Sequence, residues 1–123
     1  IGLKLVDDFP EKALGYLSDE NHNNVILKSQ ALKKLARYEE AILFAEKALE
    51  LEPSNIEGWI LCGWCYFELK NHQESEKYFE GALGCDMTNP DALLGKALIL
   101  KLQDKEYSYY NKALESIDSD LSI

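Results

Sequence analysis

The chain repeats itself, and that repetition limits what it can fold into more than any other feature. "VILKSQALKKLARYEEAILFAEKALELEP", beginning at Val25, lies without gaps over "WILCGWCYFELKNHQESEKYFEGALGCDM", beginning at Trp59. Val25 falls on Trp59, Ser29 on Gly63, Leu32 on Tyr66, Tyr38 on His72, Ala41 on Ser75 and Ala45 on Phe79, each an offset of 34 residues. "KAL" at 47–49 falls on "GAL" at 81–83 in the same phase. A third unit follows, with Leu93, Ala97 and Leu100 each 34 residues after Trp59, Gly63 and Tyr66. Its closing "KAL" at 112–114 comes 31 residues after "GAL", so about one helical turn is missing. Self-similarity at a fixed period of this size marks an array of stacked supersecondary units.

Each unit reads as two helices. In the second, Trp59, Cys62, Gly63, Tyr66 and Phe67 recur at i, i+3, i+4, i+7 and i+8, the stripe of a helix packed on one face. Asn71 marks a turn, and Ser75, Tyr78, Phe79 and Ala82 give the next helix the same spacing. Pro53 and Pro90 stand between units, where a missing N–H does least harm. No run alternates apolar and polar for more than a few residues, so strands are not expected.

The pattern of Trp59, Gly63, Tyr66, Phe79 and Ala82, matched in the first unit by Ser29, Leu32, Tyr38, Ala41, Ala48 and Pro53, resembles the tetratricopeptide repeat. The resemblance spans residues 22–117, as repeats over 22–55, 56–89 and 90–117. It departs from the family at Val25 and Leu93, where tryptophan is frequent, and at Met87, where proline is. It implies an all-α, right-handed superhelical array of antiparallel helix pairs, about three repeats with a leading half-repeat. Residues 1–20 read as part of a preceding repeat or an N-terminal cap, with Ala13, Leu14 and Leu17 on one helix face, and 118–123 as an acidic tail.

Composition closes several other routes. The net charge of −9 lacks the basic footprint that nucleic acid or an anionic membrane needs. No apolar run approaches the ~20 residues of a membrane span. Three cysteines, an odd count, suit a reducing compartment, so the expected location is intracellular, cytoplasmic or nuclear. The Cys62-Gly63-Trp64-Cys65 run looks like a redox or zinc motif, but it sits in mid-helix with no strand before it. A redox dithiol needs a helix N-terminus to lower its pKa. Cys85 and His72 are the available further metal ligands, with no second Cys pair to join them. The two cysteines are therefore expected in the packing, with no catalytic residue and no cofactor. His22 and His72 fall in linker or turn, and the glycines form no phosphate loop.

In the resembled fold the first helix of each pair lines a concave groove, which binds a protein or peptide partner. Phase then assigns Ile26, Leu27, Gln30, Lys33 and Lys34, with Asn23, from the first unit. The second gives Ile60, Leu61, Trp64 and Phe67, with Glu57 and Glu68. The third gives Leu94, Leu98 and Lys101, with Asp91, Gly95 and Leu102. Trp64 stands outside the repeat's packing positions, so it is expected to be a binding anchor dispensable for folding. A family subgroup clamps chaperone C-terminal carboxylates with Lys, Asn and Arg. The matching positions here are Ile26, Gln30, Leu61, Asp91 and Gly95, so chaperone peptides are disfavoured. The expected role is a scaffold or adaptor in a larger protein or multi-subunit complex. The alternative is self-association, with the groove and a C-terminal face of Tyr107, Tyr110, Leu114 and Ile117 buried against another copy.

Overall fold

A computed structural model describes residues 10–11 and 22–121, apart from the side chains at 22, 106, 107, 109, 110, 113, 114 and 116–121. The expected apolar face of residues 1–20 and the side chains of Tyr107, Tyr110, Leu114 and Ile117 lie outside the described residues. From residue 22 on, five helices follow one another among the described residues: α1 (His22–Lys34), α2 (Tyr38–Leu51), α3 (Ile56–Glu68), α4 (His72–Cys85) and α5 (Pro90–Leu121). No strand occurs among the described residues, and no helix there is long and apolar enough to cross a membrane. The all-α repeat array expected from the 34-residue phase is what the chain forms.

Asparagine starts three of these helices. The side-chain oxygens of Asn55, Asn71 and Asn89 accept from the N–H groups of Gly58, Glu74 and Ala92, at 3.2, 3.3 and 3.0 Å. Each satisfies a donor that the first helical turn leaves without an intrahelical partner. The turn inside each pair also recurs in phase. Ala36 and Lys70, 34 residues apart, have φ of 59° and 65°, a left-handed conformation rare without glycine. The N–H of Arg37 donates to Leu32 O and that of Asn71 to Tyr66 O, both at 2.9 Å. Ala36 N–H to Lys33 O and Lys70 N–H to Phe67 O, both 3.0 Å, complete the same two-bond cap.

Within each pair the two helices touch through a serine. The Ser29 hydroxyl, on α1, donates to the Ala41 carbonyl of α2 at 2.7 Å. In the second unit the direction reverses: Ser75, on α4, donates to the Gly63 carbonyl of α3, again at 2.7 Å. Ser29 and Gly63 are one repeat position, Ala41 and Ser75 another. At both contacts a hydroxyl meets backbone opposite a side chain no larger than methyl, which lets the helices close. Val25, Leu32, Ala41, Ala45, Ala48, Cys62 and Cys65 are buried around the first contact.

Phe79 organises the second cluster with Ala82, Ala92 and Ile99. Its ring lies between two glycines: a Cβ at Gly63 would come within 2.7 Å of it and one at Gly95 within 2.4 Å. Ala92, Gly95 and Ile99, at i, i+3 and i+7, thereby form the face by which α5 packs on the second unit.

The third unit departs from its expectation. A helix pair over 90–117 was anticipated, whereas α5 runs unbroken for 32 residues. Ungapped phase puts Ala97 and Tyr109 at the serine-contact positions, and the three-residue shortening puts Glu106 there instead. Neither tyrosine nor glutamate offers the small side chain or Cβ hydroxyl that closes the other two pairs. The consequence shows on α5. Leu93 and Leu100 are 48% and 50% exposed, while their first-unit counterparts Val25 and Leu32 are 0% and 2% exposed beneath α2.

Urea unfolding followed by circular dichroism should rank these contacts. Ser29→Ala and Ser75→Ala should each cost about 1 kcal/mol, and Phe79→Ala about 3–5 kcal/mol. Leu100→Ala, on an open face, should cost less than about 0.5 kcal/mol. A Leu100 variant as costly as Phe79→Ala would mean that a second helix covers α5.

Candidate partner-binding groove

The C-terminal half of α1 and the length of α3 face each other across a cleft of about 750 Å3. From α1 come Gln30, Lys33 and Lys34. From α3 come Ile56, Glu57, Ile60, Leu61 and Trp64, and Asn89 and Asp91 close the end where α5 begins. The two helices are first members of successive pairs, so a single repeat step sets their separation. Ile56, Ile60, Leu61 and Trp64 give it an apolar strip, while the lysines come from α1 and the carboxylates from α3 and the start of α5.

Six expected groove residues meet in this cleft: Gln30, Lys33, Lys34, Ile60, Leu61 and Trp64. Glu57 and Asp91 join them as the phase anticipated, while Ile56 and Asn89 were missed. Both missed residues sit at the start of a helix, where an in-phase count begins one position too late. Ile26 belongs instead to the core, at 3% exposure within the first cluster. Gly95 is likewise covered, by Phe79. Leu27 and Phe67 are half-buried outside the cleft. Leu94, Leu98 and Lys101 are exposed on α5 but do not reach it.

Trp64 differs from its expectation. Its ring stands edge-on to Phe79 at 4.9 Å and 74°, and to Phe67 at 5.7 Å and 77°. Such aromatic pairs add stabilisation beyond the area they bury. Trp64 therefore serves the second core cluster and the cleft together, and truncating it would not spare the fold. Trp59, assigned to packing, is half-buried: its Nε1–H donates to the Pro53 carbonyl at 2.9 Å and its ring covers Gly81.

Comparison with known proteins agrees with the repeat fold. The sequence model of the family described as anaphase-promoting complex, cyclosome, subunit 3 matches residues 10–82, more than half of the chain. No curated protein matches in sequence. Among solved structures, the tetratricopeptide domain of OM64 from Arabidopsis superposes with a TM-score of 0.68 at 20% identity, covering 81% of each chain. MamA superposes with a TM-score of 0.76 at 17% identity, covering 99% of this chain and 77% of its own. At such identities both show the shared fold.

The thiols behave as packing residues. Cys62 and Cys65 are fully buried in the first core cluster, and neither lines the cleft. Burial, reinforced by Glu46, raises the Cys62 thiol well above its ordinary range. Burial also pushes Cys65 up to about 11, although Lys33 pulls the other way. Cys85 is exposed. Among the described residues no three His, Cys, Asp or Glu side chains are placed to hold one metal ion. Nucleophilic thiolate is absent from such sites at neutral pH. Titration of the native protein at pH 8 with a chromogenic disulfide should thus release one fast equivalent, from Cys85, and two more only on unfolding. Three fast equivalents would contradict the buried placement of Cys62 and Cys65.

Proposed function

The chain belongs to the family described as anaphase-promoting complex, cyclosome, subunit 3, a tetratricopeptide-repeat family, and from that premise we propose that it is a non-catalytic scaffold. It holds a peptide or helix of a protein partner in the α1/α3 cleft, as part of a larger protein or multi-subunit complex within the cell. One observation carries this reading. Lys33 and Lys34 from α1 share one cleft with Ile60, Leu61 and Trp64 and with the carboxylates of Glu57 and Asp91. An apolar floor with few polar groups at its edges is the form of a site that gains affinity from burial and orientation from charge. The partner segment is then an apolar anchor with an acidic residue toward α1 and a basic or donor group toward α5. Ile26, Gln30, Leu61, Asp91 and Gly95 in place of a carboxylate clamp point away from chaperone C-terminal peptides. The −9 net charge points away from nucleic acid and anionic membrane.

Peptides selected on the wild-type protein from a random displayed library should share that order of apolar and acidic residues. The double charge reversal Lys33→Glu, Lys34→Glu should weaken them at least about tenfold without lowering the melting temperature. Peptides lacking acidic residues, or binding both proteins equally, would refute the cleft as the site.

A specific observation favours a second reading alongside the first. The stripe Leu93, Ala97 and Leu100 occupies the positions that α2 and α4 cover in the other units, yet it is exposed on α5. Self-association would bury it against a second copy, together with the C-terminal positions Tyr107, Tyr110, Leu114 and Ile117. Mass in solution should then rise with concentration above the 14.0 kDa of one chain, and Leu93→Glu with Leu100→Glu should abolish the rise. A mass of one chain at all concentrations removes this reading.

A further inference from the structure

The convex side of the array carries a second cavity, of about 510 Å3, between α2, the Pro53 turn, α3 and α4. One wall is aromatic. The rings of Trp59 and Tyr78 lie 5.7 Å apart, inclined at 47°. Both are held: Trp59 by its bond to the Pro53 carbonyl and by Gly81 beneath its ring, and Tyr78 by stacking on Tyr66 at 5.4 Å and 19°. The Tyr78 hydroxyl donates to Glu46 Oε1 at 2.8 Å. Three carboxylates share the lining: Glu46 and Glu50 from α2, and Glu74 from α4, one turn before Tyr78. Lys77 is the single cation among the described lining residues, and it is bound to Glu74 at 3.1 Å. Three carboxylates against one ammonium leave the cavity two negative charges in excess. Burial, and then the bond to Glu46, hold the Tyr78 phenol above the ordinary tyrosine range.

We infer that this cavity receives the guanidinium of an arginine side chain carried by a partner polypeptide. A negative site walled by π faces attracts cations and repels anions. A neutral or apolar ligand would bury against the rings, Leu49 and Pro53, but would desolvate the carboxylates without pairing their charge. Between the two basic side chains, guanidinium fits better: it is planar, more weakly hydrated than ammonium, stacks on aromatic rings and pairs with carboxylate through two parallel bonds. Glu50 is exposed at the mouth with its charge available for that pairing. The site lies on the opposite face from the cleft and shares no residue with it, so it stands or falls independently of the peptide-binding reading.

The two tryptophan indole N–H signals in a nitrogen-15 correlation spectrum test it, assigned with Trp64→Phe. The probe is N-acetylarginine amide, and its control is N-acetylcitrulline amide, which has nearly the same shape and no charge. Arginine amide should shift the Trp59 signal saturably, with a Kd on the order of millimolar, and leave Trp64 in place. Citrulline amide should shift neither. Glu50→Gln should weaken the arginine response about fivefold, and added salt should weaken it further. The inference is overturned if citrulline amide acts equally, or if the Trp59 signal does not move. An unchanged affinity in the Glu46→Gln, Glu50→Gln double variant overturns it as well.

Discussion

Two serine hydroxyls, each 2.7 Å from a carbonyl on the facing helix, set the distance at which this chain can pair its helices. A helix carbonyl already accepts from its own ladder, so a second donor reaches it only when the backbones come close and the residues between are small. Ser29 with Ala41, and Gly63 with Ser75, meet that condition from opposite sides. The shared requirement is one hydroxyl at a crossing where nothing exceeds a methyl or hydroxymethyl group, and either helix can supply it. Everything further out follows from this separation. It places the left-handed turns at Ala36 and Lys70, and it buries Val25, Leu32, Cys62 and Cys65. Where it cannot be met, beyond Ala97, the chain stays one helix.

Stacking of one unit on the next rests on different contacts. Phe79 belongs to the second pair, but the glycines on either side of its ring come from α3 and α5. A ring gripped this way fixes the angle of α5 as well as its distance, because a side chain at either glycine would displace it. Trp64 closes the same cluster from the cleft side. On the convex side the Tyr78–Glu46 bond joins α4 to α2 across the unit boundary. The cleft is therefore built from helices whose spacing is set elsewhere, so a partner meets a surface already shaped.

Much of this was legible in the sequence because the period has no gap over its first two units. Once Val25 is laid on Trp59, the faces of four helices follow from spacing, and the meeting of Gln30, Lys33 and Lys34 with Ile60 and Trp64 follows from that phase together with the groove that the tetratricopeptide resemblance implies. Three features escaped for physical reasons. Ile26 occupies a groove phase, but a residue's phase states its direction and not how far the neighbouring helix overlaps it. Trp64 stands outside the repeat's packing positions, which on phase alone leaves it free for the groove. A ring of its size reaches Phe79 from there. The unbroken α5 was hidden by the "KAL" at 112–114, which imitates a second helix, whereas the decisive letters are Tyr109 and Glu106 at the crossing position. The meaning of those letters depends on knowing what the serines do in the other units.

The two faces of the array differ in charge despite a shared scaffold: in the cleft Glu57 and Asp91 match the two lysines, and in the convex cavity carboxylates are in excess. On the concave side the acidic chain gathers Lys33 and Lys34 beside an apolar floor, and on the convex side it gathers Glu46, Glu50 and Glu74 around two aromatic rings. Trp59 and Trp64 are five residues apart on α3, and the helix sends one to each face. Anchoring differs accordingly. Trp59 is tied by a hydrogen bond and a glycine to the boundary between units, and Trp64 by two edge-on rings to the core. A partner bound on either face would thus press against the same helix, and α3 is the element whose placement the serine contact of the second pair fixes. Occupancy of one face can reach the other only by shifting α3 against Ser75 and Phe79, where a hydrogen bond and a gripped ring resist small displacements. Packing of this kind resists gradual deformation, so the two faces should bind without influencing each other.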